Sequence, residues 1–437
     1  MATRPLSPSF RKTRETALER PLSRLGAAVL ALALPPLFLH VEYQPGFSVG
    51  VRSTSVGVEL SDLAIVAVLA AALAAGRRDG FAPLRRGRML WLAAGGLCIW
   101  IVAATLYGPV ALDGYPVVEN LVTAAKFAEY ALLALAVPLL VRSRDALRLP
   151  LAVLTAWSVA ATLVALAQVL GADVFDAWAA GRRQPSFLGH HDFAALSGAV
   201  FLLGLWDRRR LAIASGGLGL VLSAAAAAVL GTALAVAALV LVALRREPRR
   251  IALAVGLTAV AAAGVLALRG GDVADFLRFA QEEERTATTD VETYSHRTLL
   301  AYIGGRIFLD HPIAGVGWQG SSEPAAFGPY LADARERFPD TAPRAFPAPE
   351  RRHGVQNVYL QALADLGVVG FALLVAVFAA GAVLALRARA GAGLLALLWI
   401  ILAAGLWSAQ GLVTGIPLAA LTWLALGLAA VRVEAGR

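Results

Sequence analysis

Residues Met89–Gly108 read MLWLAAGGLCIWIVAATLYG, twenty positions without a charge, directly behind Arg85, Arg86 and Arg88. At about 1.5 Å rise per residue, a helix of twenty residues covers the roughly 30 Å of a bilayer's hydrocarbon. A helix satisfies its own backbone hydrogen bonds, which lipid cannot do for it, so such a run crosses as a helix. Outward in both directions, runs of this kind recur. The chain reads as about twelve spans: 25–41, 58–76, 89–108, 121–141, 149–170, 193–206, 211–223, 226–244, 251–269, 357–384, 392–410 and 415–431. The stretch 211–244 is too long for one crossing and divides near Ser223. The expected fold class is an all-α, polytopic transmembrane helical bundle with a large extracytoplasmic loop domain containing short helices.

Composition agrees. Of the 437 residues, 58% are hydrophobic and 16% charged, where an ordinary soluble domain is about a quarter charged. That balance excludes a soluble enzyme, a nucleic-acid binder and a secreted disulfide scaffold. The lone Cys98 allows no intramolecular disulfide and no cysteine metal cluster. The net charge of +9 comes from arginines gathered between apolar runs. Clusters before residue 25 and at 77–88, 142–148, 208–210, 245–250 and 387–389 fall in every second loop. Cytoplasmic loops carry such an excess of basic residues, so both termini are expected in the cytoplasm. No small-residue cleavage site follows the first apolar run, so the N-terminus is not read as a cleavable signal. The expected organisation is a basic segment 1–24, spans one to nine in 25–269, an extracytoplasmic domain 270–356, and the last three spans in 357–437.

The outer loops hold the chemistry-bearing side chains. Loop 171–192 carries Arg182, Arg183, His190, His191 and Asp192, and loop 270–356 holds 13 of the 30 acidic residues. All six histidines lie on the outer side or at its edge, which points to an outward-facing site, since histidine titrates near neutral pH. Residues Tyr294–Trp318, YSHRTLLAYIGGRIFLDHPIAGVGW, read as a helix stopped by Pro312 and followed by a glycine turn, Gly315–Gly317. Leu299, Leu300, Ile303, Ile307 and Phe308 give it an apolar stripe, suited to the membrane surface over the bundle's mouth. Residues Arg351–Gly370, RRHGVQNVYLQALADLGVVG, run straight into the tenth span. Arg351, Arg352 and His353 stand where that helix leaves the membrane, the usual place of an interfacial anchor.

Together these two segments resemble the shared region of the O-antigen ligase and O-antigen polymerase family of bacterial membrane proteins. That pattern has an arginine and an apolar helix ending Asp-His-Pro-hydrophobic-x-Gly-x-Gly. After a variable outer stretch come His-Asn-x-Tyr-Leu and Glu-hydrophobic-Gly-hydrophobic-hydrophobic-Gly. Here Arg297, Asp310-His311-Pro312, Gly315 and Gly317 match the first part. Asn357-Val358-Tyr359-Leu360 and Asp365-Leu366-Gly367 with Gly370 match the second. Arg183 with Phe187-Leu188-Gly189 resembles the family's Arg-x-x-Gly-x-Phe loop. Two positions depart: Gln356 stands where the family has histidine, and alanines follow Ser223 where many relatives carry Ser-Arg-Gly.

The resemblance implies a multi-pass enzyme of the bacterial inner membrane that takes a glycan from an undecaprenyl-diphosphate-type carrier. The implied acceptor is a glycan, lipid or protein hydroxyl, with membrane lipids as the other partners and no nucleic acid. Such a reaction needs a base for the acceptor's proton, cations for the leaving diphosphate, and an apolar groove for the polyprenyl tail. Arg183 and Arg297 are the candidates for the diphosphate, with Arg182 as stand-in for Arg183, because arginine's fork grips phosphate in two places. His353 is the candidate base, one helical turn from Gln356, and Gln356, Asn357 and Tyr359 support it. No Asp-x-Asp or other metal-ligand spacing is evident, so neither metal nor cofactor is expected, and attack opposite the leaving group would invert the anomeric centre. Lys126 and Glu129, three apart in the fourth span, are expected to pair structurally. Were they instead part of a path, the chain would be a transporter or flippase for a lipid-linked glycan or solute.

Overall fold

The computed structural model describes residues 25–51, 54–142, 144–241, 247–268, 289–388 and 416–431. The bundle is built from helices α1 (Leu25–Leu37), α2 (Leu60–Asp79), α3 (Arg88–Ala111), α4 (Val117–Leu140), α5 (Arg144–Val169) and α6 (His190–Asp207). It continues with α7 (Arg210–Ser223), α8 (Ala226–Leu239) and α9 (Pro248–Leu268). Helix α10 (Thr289–Asp310) and the short α11 (Pro324–Phe327) and α12 (Leu331–Arg337) form the loop domain, and α13 (Val358–Ala388) and α14 (Ile416–Ala430) return to the bundle. Among the described residues, six helices are long and apolar enough to cross a membrane: Leu60–Asp79, Ala82–Ala111, Val117–Leu140, Asp145–Val169, Pro248–Leu268 and Val358–Arg387. The chain is thus a polytopic, predominantly helical membrane protein. The expected span 392–410 lies outside the described residues.

One element escapes the all-α expectation. Strands β1 (Gly46–Val51) and β2 (Thr54–Glu59) pair antiparallel, with Gly46 opposite Glu59 and Val51 opposite Thr54. Phe47-Ser-Val and Val56-Gly-Val alternate as a strand requires, but the stretch merges by hydropathy into the span that follows it.

Tertiary contacts sort the connecting segments onto two ends of the bundle. At one end Arg142 pairs with Asp79 (3.5 Å), and Arg86 donates to the Val431 carbonyl (3.2 Å). At the other, the His40 N–H donates to the Phe187 carbonyl (3.1 Å) and the Tyr115 hydroxyl to the Trp318 carbonyl (2.6 Å). Among the described residues, Arg86, Arg142 and Arg208 thus share one end, and the loop domain sits at the other.

The division near Ser223 is real. Helix α7 stops there, Ala224 takes a left-handed backbone (φ 44°), and α8 starts at Ala226. Arg208, just before α7, bonds Glu247 (3.1 Å), just before α9, and Arg250 reaches the carbonyls of Leu205 and Trp206. The entry to α7 and the entry to α9 therefore lie at one end, so α7 and α8 run out and back. A single helix through 211–244 would carry those arginines to opposite ends.

Lys126 of α4 is bonded to Asp62, in the first turn of α2, rather than to Glu129. Asp62 is buried and held in place by a capping box with Glu59, whose N–H it accepts at 2.8 Å. A preset carboxylate on the neighbouring helix offers the lysine a better partner than one on its own helix, and the pair stitches α2 to α4.

The arginine alternation yields a labelling prediction. In a Cys98→Ser background, a cysteine at Arg335 should react with an impermeant maleimide on intact cells, and one at Ala82 only after permeabilisation. The opposite pattern would overturn the orientation.

Candidate functional site

Helix α13 is broken in its third turn. Gly367 sits at φ 64°, ψ −169°, so the helical ladder stops and restarts there. In an unbroken helix the carbonyls of Ala364, Asp365 and Leu366 would accept from residues four further on. Here they accept instead from the N–H of Val316 (3.0 Å), the N–H of Gly317 (3.0 Å) and the indole of Trp100 (2.9 Å). In return, the Val368 N–H donates to the Pro312 carbonyl (2.8 Å). The two family-like glycine motifs are thus halves of one clasp. Gly315 (φ 70°) meets the Asp365 backbone, and Gly367 meets the Ile313 carbonyl, so closely that a Cβ on either would overlap it.

Asp365 completes the clasp with its side chain. Its carboxylate accepts from the Ser321 N–H (2.8 Å) and from the Gln361 amide (3.3 Å). Trp318 donates to the Thr123 hydroxyl (2.9 Å) on α4. The loop domain is thereby fixed to α3, α4 and α13, around a small core in which its Leu299, Ile303, Ile307 and Phe327 meet Leu112, Tyr115 and Ala364. Four of the five expected stripe residues of α10 are buried, and Phe308 is half-buried.

Loop 171–189 is organised by Gln184 and Gln168, both buried. The Gln184 N–H caps α7 by donating to the Leu222 carbonyl (3.0 Å), and its side chain bonds Trp178 and Ala179. His190 opens α6 and lies 2.7 Å from the Ser223 carbonyl; a carbonyl only accepts, so Nε2 carries the proton. Arg183 is half-buried with its guanidinium 4.9 Å over the Trp178 ring, which itself packs 5.1 Å from His190. Arg182 points to solvent.

His191 is where the two outer loops meet. Its ring lies 4.8 Å from that of His190, and its Nδ1 is buried without a hydrogen-bond partner. It precedes the apolar run of α6, and its pKa is pushed down to about 4, first by burial and then by the charges of Arg297 and Arg183. Arg183 and Arg297, far apart in sequence, therefore act on one imidazole. His191 was absent from the sequence candidates. The signal available was a histidine pair a few residues past an arginine pair, on a loop already matched to the family.

His353 lies elsewhere in the same domain. Asn357 is the N-cap of α13, accepting from the N–H groups of Tyr359 (3.1 Å) and Leu360 (3.0 Å). The helix therefore does not reach back to His353, and Gln356 precedes it in left-handed backbone (φ 56°). The His353 ring packs 5.7 Å from both His296 and Phe327, and its Nε2 accepts the Ala348 N–H (3.1 Å). Burial, His296 and Arg351 hold its pKa below the usual 6.5. Tyr359 is half-buried against Phe378. Arg352 is no simple anchor: its fork grips Glu119 of α4 and also bonds Glu323 (3.0 Å).

Between α1, α4, α5, α6 and α14 runs an apolar cleft of about 90 Å³, lined by residues such as Leu30, Leu34, Phe38, Leu151, Leu203 and Leu424. Compared with known families, residues 211–375 match the family model described as O-antigen ligase. No curated protein matches the chain. The matched segment holds the Ser223 break, Arg297 and the whole clasp.

The clasp makes a stability prediction. Gly367→Ala and Gly315→Ala should each destabilise the protein by more than the ~1–2 kcal/mol that left-handed backbone alone costs a side chain, because the Cβ also strikes backbone. Gly305→Ala, whose Cβ meets open space, should be neutral. Thermal unfolding in detergent checks all three.

Proposed function

We propose that this chain, whose residues 211–375 match the O-antigen ligase family model, is a membrane glycosyltransferase that moves a glycan from a polyprenyl-diphosphate carrier to an acceptor hydroxyl. The reading sets this reaction at the outer face of a bacterial inner membrane, in a twelve-span protein with both termini in the cytoplasm. The observation that supports it most is the action of Arg183 and Arg297, from separate loops, on the single buried His191. Cations from two segments converging beside a membrane suit an anion with two phosphoryl groups.

In this reading Arg183 and Arg297 grip the diphosphate, and Arg182 lends charge from the solvent side. The acceptor oxygen attacks the anomeric carbon from the face opposite the carrier. The carbon–oxygen bond to the diphosphate breaks, the leaving oxygen keeps the electron pair, and the arginines stabilise its growing charge. The configuration inverts. The guanidinium groups do the work a divalent cation does in other glycosyltransferases, so the reaction proceeds without one.

His353 is the proposed proton acceptor, with Asn357 and Tyr359 fixing the start of α13 beside it and Gln356 shaping the approach. To accept a proton at Nε2 it must release the Ala348 N–H. The unpartnered Nδ1 of His191 favours a second assignment, in which His191 meets the reacting groups and His353 shapes the domain. The two separate cleanly. Loss of transfer in His353→Ala with His191→Ala active supports the first, and the reverse supports the second.

Two measurements test the proposal. Arg297→Lys should lower turnover of a polyprenyl-diphosphate glycan by about 10–100-fold, the effect of one charge-assisted hydrogen bond of roughly 1.5–3 kcal/mol. Full activity in that variant would refute the diphosphate role. Either histidine must be neutral to accept a proton, and both titrate below 6.5. The acid limb of the kcat/KM profile should therefore have its midpoint below 6.5. A midpoint above pH 7 would exclude both.

A further inference from the structure

The arginine-bearing end holds a pocket of about 610 Å³ between α6, α7 and α9, within the roughly 300–1,000 Å³ of small-molecule sites. Four arginines line it, Arg208, Arg210, Arg249 and Arg250, against one acid, Glu247. Topology explains why arginines gather at this end; it does not explain a cavity between them.

Their bonding divides the four into two pairs. Arg208 and Arg250 both bond Glu247 (3.1 and 2.9 Å), and Arg250 also caps α6 through the Leu205 and Trp206 carbonyls (3.2 and 3.3 Å). These two hold the walls. Arg210 and Arg249 are exposed, and no ion pair joins either to another described residue. They stand in the first turns of α7 and α9, two helices of 14 and 21 residues whose N-terminal N–H groups face the same end. Helix N-termini favour anions. Beside the charges the lining is apolar, with Ile213 half-buried and Leu253 53% exposed.

A charged mouth over an apolar wall at a membrane surface matches one ligand chemistry, a phosphodiester carried on acyl chains. We infer that this pocket binds the headgroup of an anionic phospholipid, with Arg210 and Arg249 on the phosphate and the acyl chains along Ile213 and Leu253. Basic pockets between spans on this side of a membrane are suited to such headgroups. The inference does not depend on the glycan-transfer reading.

The test uses the purified full-length protein in phosphatidylcholine nanodiscs, titrated with short-chain phosphatidylglycerol. Binding is read by the thermal unfolding midpoint and by mass spectrometry of the intact complex. The wild type should show a saturable rise in midpoint and a retained lipid. The double variant Arg210→Gln/Arg249→Gln should bind roughly thirtyfold more weakly, the loss expected for two arginines at a charged lipid surface. Each single variant should bind about fivefold more weakly, which keeps the test open if the double variant folds poorly. Equal affinity in wild type and single variants would overturn the inference. So would an equal rise with inorganic phosphate at the same concentration, which would identify a soluble anion as the ligand, or with added short-chain phosphatidylcholine.

Discussion

A break in helix α13 is possible only because another strand of chain supplies what the break removes. Buried backbone groups must find partners, and at membrane depth water is not there to help. At Gly367 three carbonyls and an N–H lose their helical partners and recover them from the turn at 312–317 and from Trp100. Neither side stands alone: without the turn the helix would heal into a straight span, and without the break the turn would have nothing to dock on. The position of the whole loop domain relative to the bundle follows from this exchange.

The exchange also sets the electrostatics of the outer end. Helix α10 enters the clasp at Asp310, so its register is fixed, and with it the position of Arg297 one long helix earlier. Loop 171–189 is fixed independently, by Gln168, Gln184 and the end of α7. His191 feels both arginines because two separately anchored segments end at the same place. Like charges gathered around a buried ring keep that ring neutral.

How much of this was legible in the sequence depends on the range of the force involved. Lipid makes the same demand of every crossing segment, so the apolar helices could be read from hydropathy; the length of 211–244 called for a break near Ser223, and arginine alternation supported it. The DHP-x-x-G-x-G and D-L-G-x-x-G segments stood out by resemblance, but their pairing is a matter of backbone φ that no composition reveals. Lys126 was assigned the neighbour three residues away because helical spacing is local; Asp62 is 64 residues distant. The same limit hid His191, whose environment comes from two loops, and left open whether His353 shares a helix with Gln356; the helix starts at Val358, where Asn357 caps it.

The clasp has an evolutionary corollary. It holds Gly317 close to the first turns of α13, so the forty-odd residues between them leave the bundle and return to nearly the same spot. The entropy of closing that excursion is spent once, by the clasp, and each doubling of its length would add only about 0.6 kcal/mol. Its buried residues, among them Phe327, Leu331 and Ala334, pack onto α10 through Leu299, Ile303 and Ile307 and onto Leu112 and Tyr115. A lineage could therefore vary that excursion in length and surface while leaving the clasp untouched.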